Sequence, residues 1–139
     1  MKILVDTSIW SLALRREKPS QDKEDPSLVK EFIELIKETR VVLIGPIRQE
    51  LLSGISNATQ FHFLKEKLGA FEDFPISTPD YELAADFHNQ CRKRGIQGSH
   101  IDFLICAVSA RNTMAVFTRD KDFLKYSDFI PIVLHKIRI

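Results

Sequence analysis

The chain has 139 residues, 44% of them hydrophobic and 28% charged, with a formal net charge of +1. That make-up is ordinary for one globular domain spanning 1–139, and it argues against a disordered or fibrous protein and against one that coats nucleic acid through bulk positive charge. A domain of this size buries roughly 70% of its extended surface on folding, enough to need no staples. No apolar run reaches the roughly 18 residues of a membrane span, and Asp6 cuts off Ile3-Leu4-Val5 before a signal-peptide core can form, so a cytoplasmic location without membrane contact is expected.

In chain order, Ile3 to Val5 reads as a buried strand ended by Asp6-Thr7-Ser8, after which Ile9, Trp10, Leu12 and Leu14 switch to helical spacing. Residues 17 to 26 are polar with two prolines and read as an exposed connection, and Asp25-Pro26 opens a helix whose face is Leu28, Phe32, Leu35 and Ile36. Val41 to Ile44 is a second strand. Gly45-Pro46 breaks it and starts a helix carrying Ile47, Glu50, Leu51 and Leu52. A helix from Ala58 to Leu68 stops at Gly69 in the manner of a C-cap glycine, and Phe71 to Ile76 suggests a short extended piece. Thr78-Pro79 begins a helix that stops at Gly95, and Ser99 begins another that is apolar nearly all round. Ala115 to Thr118 is a strand, Lys121 to Leu124 a short helix, and Ile130 to Leu134 a last strand.

Strands alternating with helices predict a three-layer α/β/α sandwich around a parallel sheet of four or five strands, with right-handed crossovers. Such sheets bind ligands beyond the carboxyl ends of their strands. Asp6 follows the first strand, Asp120 follows the strand ending at Thr118, Asp102 lies in the first turn of the apolar helix, and Glu50 sits about one turn into the helix after the second strand. All four acids can reach one edge.

Each acid taken singly also resembles a helix cap or a surface charge. Asp6 or Ser8 suits an N-cap, Ser99 to Asp102 has capping-box spacing, and Asp120 can cap the helix after it. Their recurrence at one edge is what points to function. Like charges about 4 Å apart repel by several kcal/mol at an effective dielectric near 20, so a shared cluster takes up protons or a cation. Oxygen ligands without Cys or His favour Mg²⁺ or Mn²⁺ over zinc, and magnesium leaves coordination positions for phosphate oxygens. That is the chemistry of phosphodiester hydrolysis. Thr7, Ser8 and Thr118 are supporting hydroxyls that orient the acids or a water, or else cap helices.

Cys91 and Cys106 lack metal-ligand spacing and read as buried free thiols, and the four histidines are scattered. Arg15-Arg16 with Lys18, Arg92 to Arg94, and Arg119 with Lys121 are basic clusters, which ordinarily mean solvated faces.

Ile-Leu-Val-Asp-Thr-Ser-Ile-Trp at 3–10, Glu50 within Gln-Glu-Leu-Leu, Ile-Asp-Phe-Leu-Ile-Cys-Ala at 101–107 and Thr-Arg-Asp-Lys-Asp-Phe at 118–123 together resemble a PIN domain. In size and wording the chain is similar to the VapC-type toxins of toxin–antitoxin pairs. The resemblance covers essentially the whole chain, and its specificity lies in the order and spacing of the four segments.

It implies a Mg²⁺- or Mn²⁺-dependent endoribonuclease acting on RNA, with Asp6 and Asp102 as direct metal ligands and Glu50 and Asp120 completing the catalytic site, partly through water. It further implies a cognate antitoxin and a homodimer, with residues 28 to 68 serving those contacts. Within that span Phe61, Phe63 and Leu64 are candidates for those contacts, although their helical spacing favours core. Asp120 is preferred to Asp122 because it directly follows the strand, and His100 reads as a partly exposed helix-start residue, with contact to substrate as the alternative. A receiver-like signalling domain, the first alternative, wants adjacent acids after the first strand and a lysine after a late one. The second alternative is a non-catalytic PIN-like RNA-binding protein.

Overall fold

The structure, a computed structural model, describes residues 1–14 and 25–138. The elements run β1 (Ile3–Val5), α1 (Thr7–Leu14), α2 (Asp25–Lys37), β2 (Val41–Val42), α3 (Gly45–Leu52), α4 (Ala58–Leu68), α5 (Thr78–Lys93), α6 (His100–Arg111), β3 (Ala115–Phe117), α7 (Asp122–Ser127) and β4 (Val133–Leu134). The four strands form one sheet in the order β2-β1-β3-β4. Every pairing is parallel, with Ile3 opposite both Val41 and Ala115, and Ala115 opposite Val133.

Successive strand residues point to opposite faces, yet Ile3, Leu4 and Val5 are all buried, as are Ala115, Val116 and Phe117. Both faces are therefore covered, as parallel sheets require. On α6 the seven consecutive residues Phe103 to Ser109 are buried, which explains why its sequence shows no polar face. Trp10 fixes where β1 ends: its indole N–H donates to the Val5 carbonyl at 3.2 Å, and its ring meets Phe32 and Phe71 edge-on at 4.8 and 5.0 Å. Cys91 and Cys106 are buried and unbridged. No helix of the described residues is long and apolar enough to cross a membrane.

Several elements are shorter than the sequence suggests. The second strand closes at Val42, after which Leu43 makes one parallel bridge to Asp73 and accepts the Phe74 N–H at 2.8 Å. The extended piece at 71–76 thus reduces to that bridge. Pro131 has no N–H to give a ladder, and the last strand keeps only Val133–Leu134. The short helix shifts to Asp122–Ser127. Asp25 and Pro26 belong to α2 rather than to the connection before it, while positions 17–24 of that connection, with Arg15, Arg16 and Lys18, lie outside the described residues. Gly69 ends α4 with an ordinary right-handed φ of −61°, so no left-handed cap is needed there. Phe63 is 46% exposed on α4, with the Lys67 ammonium 4.7 Å from its ring centre; of the three residues read as core, only Leu64 packs against it.

Candidate metal centre

From β1 the chain crosses to β2 on one side, whereas β3 lies on the other, so the carboxyl ends of β1 and β3 border a topological switch point. Asp6 and Thr118 are the first residues past those two ends, and the Asp6 N–H bonds to the Phe117 carbonyl at 2.8 Å. Asp6 is buried. Its Oδ2 accepts from the Ser8 and Thr118 hydroxyls, both at 2.8 Å, and from the Ser8 N–H at 3.4 Å. Those hydroxyls are held in turn, Ser8 Oγ by the Arg119 N–H at 3.2 Å and Thr118 Oγ1 by the Asp120 N–H at 2.9 Å. One oxygen of Asp6 is saturated, while Oδ1 takes no hydrogen bond from any described residue and remains available to a cation.

Capping and site geometry coexist here, because the Asp6 carbonyl also accepts the first helical N–H groups of α1 from Ile9 and Trp10. Asp102 departs further from the capping expectation. Ser99 Oγ accepts the Asp102 N–H at 3.1 Å, but the carboxylate does not return the bond; its Oδ2 accepts the Tyr126 hydroxyl at 2.8 Å. The Ser77–Asp80 pair at the start of α5 carries the box instead, with the Ser77 N–H on Asp80 Oδ2 at 2.8 Å. Asp120 caps the turn into α7 by accepting the Asp122 N–H at 2.9 Å, and the Asp122 carboxylate lies 3.8 Å from the Lys125 ammonium.

Two of the acids, Asp102 and Glu50, feel the charges of their neighbours. The Asp102 carboxyl is raised by burial, drawn partly back by the Tyr126 and Ser99 hydrogen bonds, and raised again by the charges of Asp6 and Asp120. Glu50 is solvent-exposed on α3, yet its carboxyl is raised by partial desolvation and then by Asp6 and Asp102, with the neighbouring Thr7 hydroxyl opposing. Among the described residues, no three Asp, Glu, His or Cys side chains converge tightly enough to cage an ion on their own. The acids line a rim rather than a cage. An all-oxygen rim of mutually repelling carboxylates suits a hard divalent cation that keeps part of its water shell, and offers nothing to a thiophilic metal.

Sequence reasoning missed Tyr126, Gly98 and the pairing of His88 with His100. Tyr126 is fully buried and lies 24 positions from the acid it serves. Gly98 passes so close to Tyr126 and Phe103 that a Cβ there would collide with the tyrosine hydroxyl. His88 and His100, scattered in sequence, are stacked with ring centres 5.5 Å apart and planes 17° from parallel. Spacing carried a signal only for Ser99, through its cap position. Beside Glu50 a groove of about 810 Å³ runs between α3, α5 and α6 and includes both histidines.

Among solved structures the chain is similar to FitAcB from Neisseria gonorrhoeae, at 23% identity and a TM-score of 0.74, covering 96% of each chain. It is also similar to VapBC2 from Rickettsia felis bound to a DNA fragment from its promoter, at 15% identity and 0.74, covering 97% of this chain and 98% of that one. VapBC-1 from nontypeable Haemophilus influenzae gives 14% identity and 0.72, covering 98% of each chain. At these identities the likeness is one of fold. No curated protein matches the chain. A family model described as the PIN domain matches residues 3–128, which takes in all four acids and both strands that present them, and the chain therefore belongs to the PIN domain family.

Proposed function

We propose that the chain is a divalent-metal-dependent endoribonuclease and the toxin of a VapBC-type toxin–antitoxin pair. The observation that carries this reading is the geometry at the β1/β3 rim, where Asp6 has one oxygen held by Ser8 and Thr118 and the other open, Asp102 has one oxygen held by Tyr126, and Asp120 follows Thr118. Bound there, Mg²⁺ or Mn²⁺ supplies neutralising charge to the phosphoryl oxygens and acidifies a coordinated water. Asp6 offers Oδ1, oriented by Ser8 and Thr118, and Asp102 offers Oδ1 with Oδ2 pinned by Tyr126. Glu50, exposed and with heightened proton affinity, is suited to accept a proton at its carboxylate during attack. Asp120 is the fourth acid, adding charge at the rim beside Asp102, while Asp122 pairs with Lys125.

The toxin assignment is supported by family membership and by fold likeness to chains in structures titled as VapBC and FitAcB. A cognate antitoxin and a homodimer follow from the same reading. Ile33 and Ile36 on α2 and Phe63 on α4, all exposed, give residues 28 to 68 apolar surface for such contacts.

The purified chain is expected to cleave RNA with Mg²⁺ or Mn²⁺ and not in EDTA. Asp6→Asn removes a ligand charge without changing shape and is expected to abolish cleavage with circular dichroism unchanged. Full activity in EDTA, or in Asp6→Asn, overturns the proposal.

A further inference from the structure

Beyond the acids, the groove beside Glu50 is walled by Gln49 on α3, by Tyr81, His88 and Asn89 on α5, and by His100 at the start of α6. Its chemistry is uniform in one respect: among the described residues no Lys or Arg lines it, and Glu50 is part of its wall. A phosphate would meet a carboxylate there with no compensating cation. What the walls offer are flat rings and primary amides set in an apolar floor that includes Ala84, Ile101 and Leu104. The rings are ordered: Phe103, buried, meets His88 edge-on at 5.3 Å, and His88 stacks with His100. The 5.5 Å between the imidazole centres leaves no room for a third ring between them, so a planar ligand continues the stack on its open side. Tyr81 is 56% exposed at the groove wall, an aromatic surface with no role in the core. The volume, about 810 Å³, lies in the range of small-molecule sites.

We infer that this groove is a nucleobase subsite, in which an unstacked base of single-stranded RNA lies on the His88–His100 pair while the adjoining phosphate lies at the acids. The inference rests on the ribonuclease reading for the second half of that statement alone. Single-stranded RNA is recognised by stacking splayed bases on aromatic and histidine rings and by hydrogen bonds to their edges, and the Gln49 and Asn89 amides carry both donors and acceptors for such edges. Glu50 both lines the groove and belongs to the acidic rim, so base and phosphate would occupy neighbouring positions on the same strand.

The test uses the whole chain in EDTA, so that no RNA is cut, titrated with a single-stranded oligoribonucleotide and, separately, with nucleoside 5′-monophosphates and ribose 5-phosphate. Histidine ring signals are followed by NMR. His88 and His100 are expected to shift saturably with the base-bearing ligands and not with ribose 5-phosphate. His62 on α4 and His135, bonded to Glu31 at 2.7 Å, serve as unmoved controls. With metal present, a His88→Ala, His100→Ala double variant should raise KM for RNA about tenfold or more with kcat little changed, and His100→Phe should restore much of the loss by keeping a stacking face. Equal shifts with ribose 5-phosphate, RNA binding that leaves both histidines unmoved, or shifts seen only with a protein partner overturn the subsite. Base binding without any RNA cleavage overturns the nuclease reading and leaves the subsite standing.

Discussion

Asp102, a metal ligand in the function proposed above, shows how far a carboxylate's behaviour is set by a single neighbouring hydroxyl. Its carboxylate is half-buried, and the Tyr126 hydroxyl is the donor that offsets part of the cost of keeping it ionised. Burial raises the tyrosine's own pKa, and the bond to Asp102 adds to that, so it donates throughout the working pH range. Tyr126→Phe is therefore expected to raise the Asp102 pKa further and move the acidic limb of the cleavage profile upward, at a cost of about 2 kcal/mol in stability, read from the pH–rate profile and urea unfolding. Gly98→Ala should act in the same direction more severely, because its Cβ would displace the hydroxyl itself. Position alone suggested Asp6 and Asp102; their unequal oxygens, one saturated and one open, depend on partners up to 112 positions away, which spacing in a sequence does not encode.

Among the elements, α2 is tied to the far end of the chain. Glu31 is buried on it and accepts from His135 at 2.7 Å and from the Arg138 guanidinium at 3.0 Å, which ties the segment after β4 back across the fold. Burial alone would raise this carboxyl, but the Arg138 and His135 bonds outweigh it and bring its pKa down to about 2. A carboxyl depressed on folding stabilises above its unfolded pKa and loses that share as pH falls toward the folded value. Glu31→Gln should thus cost about 2 kcal/mol at pH 7, with the gap to the parent chain narrowing near pH 3, both read by urea unfolding. Nothing in the run Leu28-Val29-Lys30-Glu31 marks the glutamate as different from an exposed helix acid. Helix and strand order, by contrast, was legible because apolar spacing and the Pro and Gly breaks are local signals. Strand ends were overextended wherever apolar residues continued past the last ladder bond, as at Leu43 and Ile130.

For the molecule as a whole, two sets of acids pull stability in opposite directions. Glu31 and Asp80 are depressed and favour folding at neutral pH, whereas Glu50 and Asp102 are raised and favour it at low pH, losing their share as pH rises through their folded values. A divalent cation should relieve the second set only when it is ionised. Mg²⁺ or Mn²⁺ is therefore expected to raise Tm at pH 7.5, to do so less as the pH is lowered toward 5, and to give no gain in an Asp6→Asn, Asp102→Asn double variant, as differential scanning calorimetry can show. An equal gain in that variant would count against a shared site. The carboxyl edge of the sheet was predictable from strand alternation; the β1/β3 switch point, the groove, the histidine stack and the tyrosine were not, since they depend on strand order and on how α5 and α7 pack against α6.

That same packing encloses the sulfur chemistry of the chain. Cys91 on α5 and Cys106 on α6 are both fully buried, and burial raises each thiol above its ordinary pKa, Cys106 the more strongly. The thiolate is the form that oxidants and alkylating agents attack, and neither residue presents it at the surface. The pair of helices that shapes the groove is thus redox-silent, and an oxidative burst in the surrounding medium would reach the rim of carboxylates without finding a sulfur switch by which to turn it off.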